Sequence, residues 1–187
     1  GGEPPAAQAG EFVLDTYDFS QATGVSDEAF AAYEAPSAFR DWPYNTKVEG
    51  RVEEEHWTRE TVMIDAGHTH DRINCLLETK YNNDAGHVPL DIVPRSGRVL
   101  VRPVLAHHWE RSSPSGFVRV WNPNAGRIMN TEWLVEYRRV LDYLETREDV
   151  TLENLVYCGL SLGAYLGGSI CSVEDRVKSL ILISGGM

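Results

Sequence analysis

Gly159-Leu160-Ser161-Leu162-Gly163 is the stretch of this chain whose residue types and spacing most clearly specify a reaction. A serine with glycine two residues away on either side suits a sharp strand-to-helix turn. Such a turn lifts the hydroxyl above a sheet edge, where it can attack a carbonyl carbon. Glycine is expected at 159 and 163 because side chains there would crowd the turn. The backbone N–H of Leu162, opening the next helix, would face the oxyanion that the attack creates, and the helix dipole adds to that pull. A G-x-S-x-G pattern alone arises by chance in roughly one chain in ten of this length, so its flanks matter. It follows an apolar run, Leu155-Val156-Tyr157-Cys158, and precedes a helix-like stretch carrying Leu162, Tyr165, Leu166 and Ile170. Ala164, Gly167 and Gly168 would let that helix lie close to a sheet. The competing reading is an ordinary glycine-rich turn such as a phosphate loop, but the G-x-G-x-x-G spacing is absent and no P-loop lysine follows.

Serine chemistry needs a base to accept the hydroxyl proton and an acid to orient that base. No histidine follows Ser161. Glu174 and Asp175 come soon after the motif, before the next strand. His107 and His108 follow a strand whose C-terminal end should lie on the same sheet edge, yet a histidine pair in a polar loop is the simpler reading. His68 and His70, with Asp65 and Asp71, have a metal-like H-x-H spacing, but in a hairpin turn that reads as a polar loop. No metal and no cofactor are expected. Cys75, Cys158 and Cys171 are odd in number and widely spaced, which argues against a disulfide framework or a thiolate zinc site and makes a reducing cytoplasm the default compartment. Cys158 is expected to be a buried strand residue.

The elements around the motif alternate. Arg98 to Val104 reads as a β-branched strand. Residues 107–130 read as a long polar loop. Trp133, Leu134, Tyr137, Val140, Leu141 and Leu144 recur at spacings of three and four, one apolar helix face ending near Arg147, with Glu136, Arg138, Arg139 and Asp142 opposite. Residues 155–158 form a short strand, the motif and its helix follow, and Val177 to Ile183 reads as a buried strand of a parallel sheet. Strand, helix, strand, helix, strand implies right-handed crossovers and a sheet covered on both faces. Upstream, Trp57 to Ile64 and Ile73 to Thr79 read as a hairpin joined through Ala66-Gly67-His68. A short helix should start at Ser26, with Asp27 and Glu28 in its first turn, and stop before Pro36. Residues 40–50 read as loop. Residues 1–10 read as a flexible linker, 11–50 as an acidic accessory segment, and 51–187 as part of the αβ domain.

The 187 residues suffice for one domain. The formal charge is −11, with 13 acids against 4 bases in residues 1–60 and near balance afterwards. Such a surface argues against nucleic acid and anionic membrane as partners. No apolar run has the length of a membrane span.

Residues 133–186 resemble the α/β-hydrolase superfamily, nearest its dienelactone-hydrolase-like and prolyl-oligopeptidase-like branch. The resemblance is carried by Val140-Leu141-Asp142-Tyr143-Leu144, Val150 to Tyr157, Gly-Leu-Ser-Leu-Gly-Ala and Asp175 to Leu180. Residues 25–186 are similar to hydrolase-like domains found C-terminal to bacterial serine/threonine kinases, through Ala29 to Tyr33, Lys47-Val48-Glu49, His56 to Ile64 and Ile73 to Leu77. The resemblance implies a three-layer α/β sandwich in which an antiparallel hairpin leads into a parallel sheet. It implies Ser161 as nucleophile, Leu162 N–H as oxyanion donor, and Gly159 and Gly163 as the elbow glycines. The triad order Ser, Asp, His places the acid and base beyond Met187, and the sheet is expected to continue past Ser184-Gly185-Gly186. The second oxyanion donor normally follows a buried strand, and residues 77–98 offer only a turn-forming, proline-broken segment. Two readings stay open. One is a serine hydrolase acting on a small ester or peptide substrate. The other is a non-catalytic hydrolase-like module linked covalently to a signalling protein such as a kinase. For the 187 residues alone, little turnover is expected.

Overall fold

The computed structural model describes residues 19–38, 41–54, 57–67, 72–78, 93, 96–112 and 123–185. The chain divides into two units, residues 1–33 and 34–187. The first unit holds most of helix α1 (Asp27–Glu34). Ser26 opens it, accepting a 3.2 Å bond from the Ala29 N–H at its Oγ, and a 3-10 turn with Pro36 in its first turn follows. Both boundaries match the signals in the sequence.

The second unit is an α/β arrangement with two sheets. Strands β1 (Lys47–Glu54), β2 (Trp57–Asp65), β3 (Arg72–Glu78) and β4 (Leu100–Val104) pair antiparallel in chain order. The expected hairpin is β2 with β3, in a register that sets Val62 opposite Cys75 and Ile64 opposite Ile73. Strand periodicity puts these four side chains on one face, and all four are fully buried. Helix α2 (Pro123–Glu145) covers them with Val140, Leu141, Tyr143 and Leu144. Its other half packs Met129, Trp133 and Leu134 against Leu166 and Ile170 of helix α3 (Leu162–Cys171). Strand β5 (Val156–Leu160) pairs parallel with β6 (Ser179–Ile183).

Several expectations change. β1 occupies a stretch read partly as loop. Its Val48 and Val52 are exposed on the edge of the sheet, so it lacks the buried alternation that marks a strand. α2 starts at Pro123, inside the stretch 107–130 read as a polar loop, since Pro123 fits the first turn of a helix instead of ending one. Glu136 and Arg139, assigned to the solvent side, are buried at 0% and 4% exposure, because α2 is wrapped by two apolar clusters and has little free circumference. Arg139 spends its guanidinium on loop carbonyls, donating to Asp65 O, Trp42 O and Pro43 O at 2.6–2.9 Å while lying over the Tyr44 ring. β4 pairs with β3 antiparallel, and among the described residues no ladder joins it to β5. β6 is exposed at every position, not buried. Cys158 is exposed too, because Val156, Cys158 and Leu160 face away from α3.

Candidate active site

Ser161 stands between the end of β5 and the start of α3, at φ 53° and ψ −113°. A non-glycine residue held there carries on the order of 1–3 kcal/mol of backbone strain, which its surroundings must impose. They do so from both sides. The Ser161 N–H donates to Ile183 O on β6 at 2.9 Å, and the Ser161 carbonyl accepts from the Tyr165 N–H at 3.0 Å in the first turn of α3. The residue is solvent-exposed. Leu162, the residue assigned the oxyanion donor, is the first of α3, where backbone N–H groups have no intrahelical acceptor.

The two motif glycines are not equivalent. A Cβ on Gly159 would sit 2.3 Å from the Gly163 carbonyl oxygen and 2.7 Å from the Ala164 nitrogen, a backbone collision no rotamer relieves. A Cβ on Gly163 would meet only the Tyr157 hydroxyl, at 3.9 Å. The crowding expected at both positions therefore exists at Gly159 alone. Gly167 is another point of close approach. A Cβ there would lie 2.6 Å from a Leu182 methyl and 2.7 Å from the Tyr157 ring, so its absence lets α3 press onto β5 and β6. Gly168 faces open space and contributes nothing to that contact.

Tyr157 braces the turn from beneath. Its hydroxyl donates to the Gly163 carbonyl at 2.7 Å, and its ring meets Tyr137 edge-on at 5.5 Å between centroids. Burial pushes the phenol up to about 12, so it remains a donor at neutral pH. Nothing in the sequence marked Tyr157 for this role; it reads there as one more strand residue.

The loop after β4 is the other element built from chemistry-bearing side chains. Glu136, fully buried on α2, receives the Ala106 N–H at 2.8 Å and both terminal nitrogens of Arg111 at 2.6–2.8 Å. Arg111 also donates to Val104 O. Trp133 donates its indole N–H to Ala106 O at 2.7 Å. His107 pairs through Nε2 with Glu132 at 2.9 Å, and His108 pairs through Nδ1 with Ala106 O at 3.0 Å while its ring leans on Trp133. Both histidines are thus engaged within the loop and with α2. Leu105 and Leu162 pack against the same apolar cluster, which ties this loop to the elbow helix.

Other assigned positions fall elsewhere. His56, His68, His70, Asp71, His87 and residues 79–92, where the second oxyanion donor was sought, lie outside the described residues. Asp65 is held by Arg72 at 3.1 Å and by Asn45. Among the described residues no cluster of three metal-ligating side chains occurs. A cleft of about 510 Å³ lies at Arg138, Asp142, Glu174 and Arg176, away from Ser161. Its guanidinium and carboxylate groups neutralise one another: Arg176 bonds Glu174 at 2.6 Å and Asp142 at 2.7 Å. It is a brace between α2 and the segment before β6. No described helix is long and apolar enough to cross a membrane.

No family model matches the chain, and no curated protein matches it significantly. Among solved structures it is similar to a Bacteroides fragilis protein described as a candidate acetyl xylan esterase, with a TM-score of 0.63 and 11% identity. The match covers 80% of this chain and 50% of that one, so the chain spans about half the length of its neighbour. At that identity the likeness speaks for backbone architecture only. The chain therefore shares an α/β backbone fold with that protein over the matched residues, with the G-x-S-x-G segment at a strand-to-helix turn.

Proposed function

We propose that this chain carries the nucleophile of a serine hydrolase, with Ser161 as the attacking group. The observation that supports it most is the strained turn itself. A serine at φ 53° is held between β5 and α3, and the chain passes so closely that only glycine fits at 159. Strain of this kind persists where the surroundings over-determine it, and it concentrates at functional sites. Ser161 Oγ would attack an ester or amide carbonyl, losing its proton to a base. The Leu162 N–H would hold the oxyanion. The leaving alcohol or amine would take up the proton, and water would then release the acyl group as a carboxylic acid. The acid and base of the triad are proposed to come from the part of the domain beyond residue 187. The designation of the structural neighbour makes short acyl esters, acetyl esters first, the substrates to try.

A second reading is a hydrolase-like module without catalysis, attached to a signalling protein such as a kinase. It is favoured by the engagement of His107 with Glu132 and of His108 with Ala106. Labelling of the full-length gene product with an alkyl fluorophosphonate separates the two. Adduct formation at Ser161, abolished in Ser161→Ala, supports the hydrolase. No adduct in the folded full-length protein leaves the module.

A further inference from the structure

Ser161 occupies the N-cap of α3, yet its hydroxyl does not cap the helix. A serine at that position ordinarily adopts extended backbone and lets its oxygen accept an N–H from the first turn, here that of Gly163 or Ala164. Ser161 instead sits at φ 53° and ψ −113° with no side-chain cap bond. The backbone strain and the absent cap both favour a relaxed turn, in which the hydroxyl would close on its own helix and be withdrawn from attack. Something must hold the turn in its unrelaxed form.

Two main-chain bonds, Ser161 N–H to Ile183 O and Tyr165 N–H to Ser161 O, fix the peptides on either side of the serine. The first turn of α3 has a further tether, from a side chain of β5. The Tyr157 ring lies 2.7 Å from where a Cβ on Gly167 would stand, and its hydroxyl donates to Gly163 O at 2.7 Å. That same Gly163 oxygen lies 2.3 Å from where a Cβ on Gly159 would stand. The tether therefore draws the first turn onto the strand end where the chain already passes too closely for any residue but glycine. Tyr137 backs the ring edge-on, 5.5 Å between centroids. Resting on the assignment of Ser161 as nucleophile, we propose that Tyr157 is a positioning residue of that site, whose hydroxyl keeps α3 from relaxing into a serine-capped helix and so leaves Ser161 Oγ available for attack. Tyr157 contributes no group to the reaction. It acts through Gly163 on the backbone of Ser161. Loss of its hydroxyl removes one hydrogen bond, but the released strain and the new cap offset that loss, so reactivity falls while stability hardly moves.

The full-length gene product and its Tyr157→Phe variant are reacted with an alkyl fluorophosphonate over a range of concentrations, which separates probe affinity from the first-order rate at saturation. Each is also unfolded in urea. Phenylalanine keeps the ring against Tyr137 and Gly167 and removes only the donor. The expected result is a roughly tenfold lower rate at saturation, equivalent to about 1.4 kcal/mol, with probe affinity unchanged and a urea midpoint close to that of the wild type. p-Aminophenylalanine at position 157, which keeps a donor at the end of the ring, restores the rate. Four outcomes overturn the positioning role and leave Ser161 standing: a Tyr157→Phe chain that does not fold, labelling at the wild-type rate, a loss confined to probe affinity, or a slow rate that p-aminophenylalanine does not restore. No labelling of the folded wild type overturns Ser161 and Tyr157 together.

Discussion

A methyl group added at Gly159 and the same methyl added at Gly163 should have opposite effects, although the sequence motif treats the two positions alike. At Gly159 the new Cβ would lie 2.3 Å from the Gly163 oxygen and 2.4 Å from its carbonyl carbon. Real Cβ contacts essentially never fall below 3.0 Å, so the two backbones must part by about 0.7 Å. The colliding atoms are main chain, and the segment they belong to is fastened by the Tyr157 hydroxyl and by Ser161 N–H to Ile183 O. Overpacking a tight site costs about 1–3 kcal/mol, and a backbone collision belongs at the upper end. At Gly163 the nearest atom is 3.9 Å away, the backbone is not left-handed, and the residue lies in the first turn of α3. Alanine there gains helix propensity, at most about 1 kcal/mol. Urea unfolding of Gly159→Ala and Gly163→Ala measures both. The expected outcome is a loss of about 2–3 kcal/mol for the first and a change between zero and a small gain for the second. Gly159→Ala within about 0.5 kcal/mol of wild type, or Gly163→Ala as damaging as Gly159→Ala, would refute the geometry of the turn.

Other consequences are open to measurement. Glu136→Gln removes the buried carboxylate that takes both terminal nitrogens of Arg111 and should cost about 3 kcal/mol or more by urea unfolding; a change under about 1 kcal/mol would show that the ion pair does not hold the loop. Burial works against ionisation of Glu174, but bonds from Arg176 outweigh it and hold the carboxyl below its usual range. A depressed carboxyl contributes stability above its unfolded pKa of about 4.3 and loses it as pH falls through the lower folded value. Glu174→Gln should therefore flatten the acid limb of the stability curve, and an unchanged limb would contradict the assignment. Thiol reagent on the native chain should modify exposed Cys158 first. Cys171, raised to about 11 by burial, should follow, and Cys75, raised to about 12, only after unfolding; early reaction of Cys75 would mean the β2–β3 face is open.

What could be read from sequence was local. The strand, serine, helix and strand of residues 155–183 were legible because each apolar run is short and the turn chemistry sits inside five residues. The hairpin of β2 and β3 was legible from its β-branched alternation. β1 was not, because Lys47–Glu54 is an edge strand whose polar residues carry no burial pattern. The buried charges of α2 were also hidden. Glu136 needs Arg111 from 25 residues away, and Arg139 needs the carbonyls of Trp42 and Pro43 from 97 and 96 residues away. Helical periodicity sees neither partner and assigns both residues to solvent. The candidate site divides in the same way. Ser161, Leu162 and Gly159 follow from the motif, whereas Tyr157 as the brace of the turn becomes visible only when the strand and the helix meet.

The claim that matters most is that Ser161 is a nucleophile and not merely a strained serine. Fluorophosphonate labelling of the full-length gene product, read by intact mass and peptide mapping, tests it directly. A single adduct on Ser161 that disappears in Ser161→Ala is the expected result. No adduct on the folded protein, or an adduct that persists in Ser161→Ala, would contradict it.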